Sequence, residues 1–274
     1  MSRADPSEVL TRAAPPPDLT VRYGPLPEHV ADVRWPRLGP ADGGAQRAAP
    51  LVVVVHGGFW RAEFDRQHTG PLCEGLADAG YAVAAIEYRR TGQDGGGWPG
   101  TFEDVDAALR QVPGLVAAAT PAGATPPGPV VLLGHSAGGH LVAWAATTAR
   151  PGVVGAVSLA GVLDLHRASE LALDPEPTAP AVHCLLGGTP DDVPDRYAAT
   201  DPTRLGRPTV PVTAVHGDQD RTVPLELSRS YAEATGQRLV VVPGVEHFAL
   251  IDPRSAAWAT VLKHLAAASA APRG

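Results

Sequence analysis

Five consecutive residues in the middle of the chain carry the pattern of a reactive serine. Gly134, His135, Ser136, Ala137 and Gly138 fit G-x-S-x-G, between an apolar segment typical of a buried strand and an Ala-rich segment typical of a helix. At such a turn the serine Oγ is exposed at the carboxyl edge of a sheet. The glycines permit close backbone contacts, and the helix N-terminus favours negative charge. The pattern predicts that Ser136 is a nucleophile for acyl transfer.

A serine hydroxyl is a weak nucleophile, so it needs a base that is itself held by an acid. Where the serine lies on such a turn, the chain order is serine, acid, histidine. His247 follows the last predicted strand and precedes the last predicted helix, so it is the expected base. Asp218 and Asp220 share one loop after a strand, and Asp164 follows the strand before it. All three are candidates for the acid, with turn or capping roles as the alternatives for Asp218 and Asp164.

Backbone donors for a developing oxyanion are expected from two places. The geometry of the serine turn makes the N–H of Ala137 one donor. The other donors are expected in the loop after the apolar segment 51–55, which contains Gly57 and Gly58. Two glycines there would let N–H groups face the oxyanion, and an ordinary Gly-Gly turn is the alternative.

Aromatic residues make up only 5% of the chain, so their positions are informative. Trp60 directly follows the Gly-Gly pair, and Trp98 lies in a Gly-rich loop after a predicted strand. Both are candidates for a small apolar or aromatic substrate pocket, with core packing as the alternative. Arg89 and Arg90 follow the same strand as Trp98. They are expected to form structural ion pairs, and contact with an anionic substrate is the other possibility.

Strand and helix patterns alternate from residue 51 onward. The predicted strands cover residues 19–23, 29–35, 51–55, 81–88, 129–133, 153–159, 208–215 and 238–242, and the predicted helices cover 69–79, 101–112, 137–149, 224–235 and 253–268. Thr101 is the expected N-cap of the second helix. This alternation predicts an α/β fold with a mostly parallel central sheet and helices on both faces.

The chain has 274 residues, which suits one α/β domain. Residues 1–24 are predicted to form a loose N-terminal leader, and residues 25–270 the catalytic domain. The segment 37–50 is rich in Gly, Ala and Pro and predicts a loop. The Pro-rich segment 161–207 is too long for a simple crossover, so we expect a lid or substrate loop, with a surface insertion as the alternative.

The formal net charge of −7 excludes a domain-wide basic surface, so neither nucleic acid nor an anionic membrane is expected as a partner. The N-terminal residues lack the apolar run of a secretory signal, and no segment approaches the roughly 18 apolar residues of a membrane span. A cytoplasmic protein is therefore expected. Cys73 and Cys184 are expected to fill small apolar sites, with one disulfide as the alternative.

Metal and cofactor chemistry are not indicated by the remaining motifs. His135 and His140 do not have the spacing of the H-E-x-x-H zinc motif, and no cysteine cluster accompanies them. The glycine run 95–97 lacks the Gly-Lys-Ser/Thr ending of a phosphate-binding loop. The sequence predicts neither a metal nor a cofactor.

Over residues 25–270 these motifs, in this order, resemble those of the α/β-hydrolase superfamily. His56-Gly57-Gly58-Phe59-Trp60 resembles the H-G-G-x-W motif of kynurenine formamidases (arylformamidases). It is also similar to the H-G-G-G loop of hormone-sensitive-lipase-like carboxylesterases. The resemblance implies that Gly58 and Phe59 supply oxyanion N–H groups. Phe59 replaces the third glycine of the esterase motif, which favours the formamidase-like assignment.

The loop at residues 216–224 is similar to the H-G-x-x-D-x-x-V-P loop of prolyl-oligopeptidase-type hydrolases. The chain is too short to carry the propeller domain of those enzymes. The resemblance implies that Asp220, rather than Asp218 or Asp164, is the acid that orients the base.

The expected function is that of a serine hydrolase that cleaves a small ester or non-peptide amide through an acyl-enzyme, without a cofactor. An acyltransferase or cyclase would use the same residues, because the outcome depends on whether water or another nucleophile reaches the acyl-enzyme. A non-catalytic ligand receptor of the same fold is a further alternative, but it would not need Ser136, Asp220 and His247 together. The sequence leaves the oligomeric state open.

Overall fold

One eight-stranded sheet runs through the described part of the chain, residues 6–37, 48–174 and 179–270 of a computed structural model. Its strands are β1 (Leu19–Arg22), β2 (Val30–Arg34), β3 (Leu51–Val55), β4 (Ala82–Ile86), β5 (Val130–His135), β6 (Val153–Leu159), β7 (Val212–Gly217) and β8 (Arg238–Val242). They lie in the order β1-β2-β4-β3-β5-β6-β7-β8. Strand β2 pairs antiparallel with β1 and β4, and all other neighbours pair parallel.

Helices cover both faces of this sheet. They are α1 (Gly70–Asp78), α2 (Gly100–Ala118), α3 (Ala137–Ala145), α4 (Leu165–Glu170), α5 (Ala181–Leu186), α6 (Pro194–Thr200), α7 (Glu226–Thr235) and α8 (Trp258–Ser269). Leu51, Val53 and Val55 of β3 pack with buried residues of α2 and α3, whereas Val52 and Val54 pack with those of α1 and α8. This alternation confirms the predicted mostly parallel sheet with helices on both faces. No helix within the described residues combines the length and apolar character needed to cross a membrane.

Most element boundaries lie within a few residues of the predicted ones, and β3, β6 and β8 coincide with them. The largest difference is α2, which continues through Pro113 because Val112 and Val116 are both fully buried against the sheet. The prediction that Thr101 caps this helix is wrong. Thr101 lies inside the first turn, and its Oγ1 donates to the carbonyl of Arg89 at 2.6 Å.

The predicted loose leader is wrong for its described residues, 6–24; residues 1–5 lie outside the described chain. A 3₁₀ helix forms at Pro6–Leu10, and its Val9 is fully buried in the apolar cluster of α1 and α8. Strand β1 then adds to the sheet, and the hydroxyl of buried Tyr23 donates to the carbonyl of Glu87 at 2.5 Å. Two buried apolar side chains and strand pairing therefore order this segment.

The Pro-rich segment 161–207 carries the short helices α4, α5 and α6, and its residues 175–178 lie outside the described chain. Arg61 holds this segment, because its guanidinium donates to the Asp174 side chain at 2.6 Å and to the Ala179 carbonyl at 3.0 Å. The lid role stays a prediction. Residues 38–47 of the predicted loop 37–50 also lie outside the described chain. Cys73 and Cys184 form no disulfide.

The parallel strands place six loops at one edge of the sheet. The carboxyl ends of these strands are followed by His56 after β3, Glu87 after β4, Ser136 after β5, Asp220 after β7 and His247 after β8. The segment 161–207 follows β6 at the same edge. In open α/β sheets this is the edge where ligands bind.

Candidate active site

Ser136 occupies a strained turn between β5 and α3. Its φ of 54° and ψ of −118° are outside the regions that non-glycine residues ordinarily adopt. Two glycines make the turn possible. A Cβ on Gly134 would lie 2.1 Å from the Gly138 carbonyl oxygen, and one on Gly138 would lie 2.0 Å from the Val55 carbonyl oxygen. Backbone strain of this kind is characteristic of functional sites, where the surrounding structure maintains it.

Asp220 and His247 form a buried carboxylate–imidazole pair. His247 Nδ1 donates to Asp220 Oδ2 at 2.7 Å, which leaves Nε2 of the ring as the proton acceptor. The other carboxylate oxygen accepts the N–H groups of Thr222 and Val223 at 2.9 and 2.8 Å. Burial by itself raises the pKa of Asp220, but hydrogen bonds from His216 and His247 outweigh it and hold the pKa well below its ordinary range. Asp220 is therefore ionised and able to orient the imidazole.

The two other candidate aspartates have local structural roles. Asp164 is the N-cap of α4, where its side chain accepts the Arg167 N–H at 2.9 Å and the hydroxyl of Ser230. Asp218 is exposed, and its Oδ1 accepts the Gly244 N–H at 2.7 Å. His247 thus donates its hydrogen bond to Asp220 and to neither alternative.

His135 connects the serine turn to the loop of His247. It directly precedes Ser136, its Nε2 donates to the carbonyl of His247 at 3.2 Å, and the two rings lie 4.5 Å apart. Burial lowers the pKa of His135 well below its ordinary value, so this ring is neutral. Ser136 and His247 are themselves 3% and 4% exposed. The loops after β5 and β8 therefore meet in a site largely shielded from water.

The loop after β3 lies directly against the serine. A Cβ on Gly57 would be 3.0 Å from the Cβ of Ser136, so any larger residue would displace one of them. Gly58, Phe59 and Trp60 all have positive φ, at 106°, 49° and 57°. Among the described residues, the N–H groups of Gly58 and Phe59 donate no backbone hydrogen bond. Both are therefore available to an oxyanion.

The third expected donor is on the serine turn itself. Ala137 is the first residue of α3, and N–H groups in the first turn of a helix have no intrahelical acceptor. Its N–H also lies at the positive end of the helix dipole. The oxyanion donors predicted from the sequence thus all come from segments at this edge.

Trp60 and Trp98 pack into the apolar cluster of α2 and α3. Trp60 is 1% exposed and contacts the His140 ring edge-on, with 5.3 Å between centroids. Trp98 is partly buried against Phe102. These contacts are those of packing residues, and a role in a substrate pocket stays a prediction for both. Arg89 forms the expected structural ion pair, at 2.7 Å from Asp104.

Glu87 is the main residue at this edge that sequence reasoning misses. It follows β4, is 3% exposed, and its Oε1 lies 2.9 Å from Nε2 of His56 in the glycine loop. The sequence offers one signal, a glutamate directly after a strand that is apolar throughout. Such a glutamate has the same local pattern whether it is solvated or buried, so the signal is weak.

The comparisons with known proteins agree with this architecture. The family model BD-FAE matches residues 40–234, a span that includes Ser136 and Asp220 and ends before His247. Esterase LipQ of Mycobacterium tuberculosis is 28% identical over 230 residues, which cover 78% of this chain and 51% of LipQ. Kynurenine formamidase of Drosophila melanogaster is 27% identical over 223 residues, covering 74% of this chain and 68% of that protein. The chain thus spans about half the length of LipQ.

Solved structures give the same fold. A truncated carbohydrate esterase from gut microbiota superposes with a TM-score of 0.72 at 21% identity, covering 93% of this chain and 99% of that one. The propionate-bound Est2 esterase of Thermogutta terrifontis superposes with a TM-score of 0.66 at 25% identity, covering 93% and 96%. The predicted α/β-hydrolase fold is confirmed. Because the family model matches well over half of its residues, the chain belongs to the BD-FAE family.

Proposed function

We propose that this protein is a serine hydrolase that cleaves a small ester or non-peptide amide through an acyl-enzyme. The observation that carries the proposal is the buried Asp220–His247 pair, with 2.7 Å between Oδ2 and Nδ1. The base of that pair packs against His135, the residue next to a serine on a strained turn. A nucleophile, a base and an orienting acid on three adjacent loops are what acyl transfer requires.

The reaction begins with attack of Ser136 Oγ on the substrate carbonyl carbon. His247 Nε2 takes the hydroxyl proton, and Asp220 holds the tautomer and stabilises the imidazolium. The N–H groups of Gly58, Phe59 and Ala137 bind the oxyanion of the tetrahedral intermediate. When this intermediate collapses, the imidazolium protonates the leaving alcohol or amine. Water, deprotonated by the same imidazole, then attacks the acyl-enzyme, and the imidazolium returns the proton to Ser136 Oγ as the acid is released.

The substrate class rests on the family and on the local chemistry of the site. The similar proteins include esterases and kynurenine formamidases, which cleave ester and formamide bonds respectively. The H-G-G-x-W pattern at residues 56–60 and the similarity to kynurenine formamidases support a small acyl group, such as formyl or acetyl.

A substrate panel tests the proposal. The wild-type protein is incubated with p-nitrophenyl acetate, p-nitrophenyl butyrate and N-formylkynurenine, and its labelling by a fluorophosphonate is measured alongside. We expect turnover of at least one substrate and labelling of the wild type, both abolished by Ser136→Ala. Ser158→Ala is the matched control, because Ser158 is fully buried in β6 and its hydroxyl has no hydrogen-bond partner in the described chain. Turnover retained in Ser136→Ala would overturn the proposal.

A further inference from the structure

A second buried carboxylate–imidazole pair lies behind the glycine loop. Glu87 Oε1 is 2.9 Å from His56 Nε2 and accepts the Tyr88 N–H at 3.0 Å, while Oε2 accepts the Arg66 N–H at 3.0 Å. Burial raises the pKa of Glu87, but His56, Arg90 and the Arg66 N–H outweigh it and lower the pKa to about 2. Glu87 is therefore a fixed negative charge, and the proton between it and His56 belongs to the imidazole.

The His56 ring is held on every side. It stacks on Tyr88 with 4.4 Å between centroids, and the Tyr88 hydroxyl donates to the His56 carbonyl at 2.9 Å. Its remaining nitrogen, Nδ1, is 2.8 Å from the Gly57 carbonyl oxygen. A carbonyl oxygen only accepts, so Nδ1 is the donor in this hydrogen bond. Both ring nitrogens therefore donate, to Gly57 and to the Glu87 carboxylate, which is the hydrogen bonding of an imidazolium. The mechanism proposed above uses neither nitrogen of this ring.

The hydrogen bond to Gly57 sets the direction of the next N–H group. The Gly57 carbonyl and the Gly58 N–H belong to one peptide unit, which is planar and trans, so they point in opposite directions. Glycines on both sides would otherwise let this peptide rotate with little steric resistance. Fixing the carbonyl on His56 therefore fixes the Gly58 N–H, and a hydrogen bond to the carbonyl also strengthens the N–H as a donor.

We propose that His56 and Glu87 are positioning residues of the oxyanion hole. Glu87 holds the imidazole of His56, His56 Nδ1 holds the Gly57 carbonyl, and the Gly58 N–H is thereby turned toward the reacting oxygen. This inference rests on the proposed function. Neither residue touches the reacting atoms, so their removal affects stabilisation of the transition state rather than the nucleophile or the base.

Two substitutions of His56 separate this role from simple packing. The amide nitrogen of asparagine lies near the position of Nδ1, so His56→Asn keeps a donor for the Gly57 carbonyl and loses the contact with Glu87. The amide nitrogen of glutamine lies near the position of Nε2, so His56→Gln keeps the contact with Glu87 and loses the donor. Both variants remove the ring stacked on Tyr88. A merely structural role predicts similar losses in the two.

The test measures kcat and KM for p-nitrophenyl acetate, or for the best substrate of the panel. The concentration of active enzyme is taken from titration with the fluorophosphonate. Since loss of one oxyanion donor costs about 100- to 1,000-fold in kcat, we expect about 100-fold loss in His56→Gln and less than about 10-fold in His56→Asn, with KM nearly unchanged in both. Inhibition by a short alkyl trifluoromethyl ketone, which forms an oxyanion on the serine, should weaken in parallel with kcat.

A third variant keeps the test decisive if a His56 variant does not fold. Glu87→Gln conserves the size of the side chain and removes the charge that holds the imidazole, so we expect about 10-fold lower kcat with unchanged KM. Equal kcat values in His56→Asn and His56→Gln, or a wild-type kcat in Glu87→Gln, would overturn this inference alone. Absence of turnover and labelling in the wild type would instead overturn the proposed function, and this inference with it.

Discussion

Two buried carboxylate–histidine pairs lie on opposite sides of Ser136 at the same edge of the sheet. The pair on one side, Asp220 and His247, comes from the loops after β7 and β8, and the pair on the other, Glu87 and His56, from those after β4 and β3. Their hydrogen bonds are similar, at 2.7 and 2.9 Å. Both carboxylates have pKa values below their ordinary range.

The pairs differ in what the second nitrogen of each imidazole meets. The Nδ1 of His56 is bound to the Gly57 carbonyl, whereas His247 bonds Asp220 through Nδ1 and in the proposed mechanism transfers the proton through Nε2. In the proposed mechanism one pair therefore supports a base and the other fixes a peptide. The residue types alone do not distinguish these roles; the partner of the second nitrogen does.

The most severe loss is expected from replacing the histidine with the available nitrogen. His247→Gln removes proton transfer altogether, so kcat should fall by about 10⁵- to 10⁶-fold, measured as initial rates on titrated enzyme. His264→Gln, which changes a buried histidine of α8 outside both pairs, is the control. A loss in His247→Gln no larger than that in His56→Gln would mean that the two pairs do not differ as described.

Asp220, the acid of the proposed catalytic pair, comes next in expected effect. Asp220→Asn replaces an acceptor with an amide that cannot hold the imidazole in the same tautomer, so kcat should fall by about 10⁴-fold. Asp218→Asn is the matched control two residues away. Its side chain is exposed, and an asparagine oxygen can still accept the Gly244 N–H, so its rate should stay near that of the wild type. Comparable losses in the two variants would reopen the choice between these aspartates.

The position of the glycine loop is tested by a single methyl group. A Cβ on Gly57 would lie 2.9 Å from the His135 carbonyl oxygen and 3.0 Å from the Ser136 Cβ. Gly57→Ala should therefore displace the loop or the serine and lower kcat by about 10- to 100-fold. Gly114→Ala is the control, since its Cβ would meet nothing within 4 Å and alanine favours the helix. An unchanged kcat in Gly57→Ala would show that the loop does not need this close contact.

The sequence predicts the Asp220–His247 pair better than the Glu87–His56 pair. Mostly apolar segments locate β3, β6 and β8, and in β3 every position is apolar and buried, as expected of a strand covered on both faces. Once those strands are placed, Ser136 and His247 follow from their position at strand ends. The choice of Asp220 over Asp218 needs the family resemblance, because the two share one loop. In the structure, the hydrogen bond from His247 distinguishes them.

The Glu87–His56 pair could not be predicted because its contacts are not local. Glu87 bonds a histidine 31 residues away and a backbone N–H 21 residues away, and both arrive through the pairing of β3 with β4. Contacts between residues distant in sequence also explain the length of α2. Pro113 by itself suggests that the helix ends there. Burial of Val116 on the next turn outweighs that local preference.

The smallest expected effect concerns stability. The folded-state pKa of Glu87 is about 2, below its ordinary value, so its ionised form stabilises the fold above about pH 4, and this contribution is lost as the pH falls toward 2. Glu87→Gln should therefore flatten the decline in the free energy of unfolding between about pH 5 and pH 3 by at most about 1.4 kcal/mol per pH unit. Urea unfolding at several pH values measures this slope, with Glu63→Gln, at an exposed position, as the control. If Glu87→Gln has the wild-type slope, the carboxylate is not held ionised by His56 and Arg90, and the two pairs are less alike than their distances indicate.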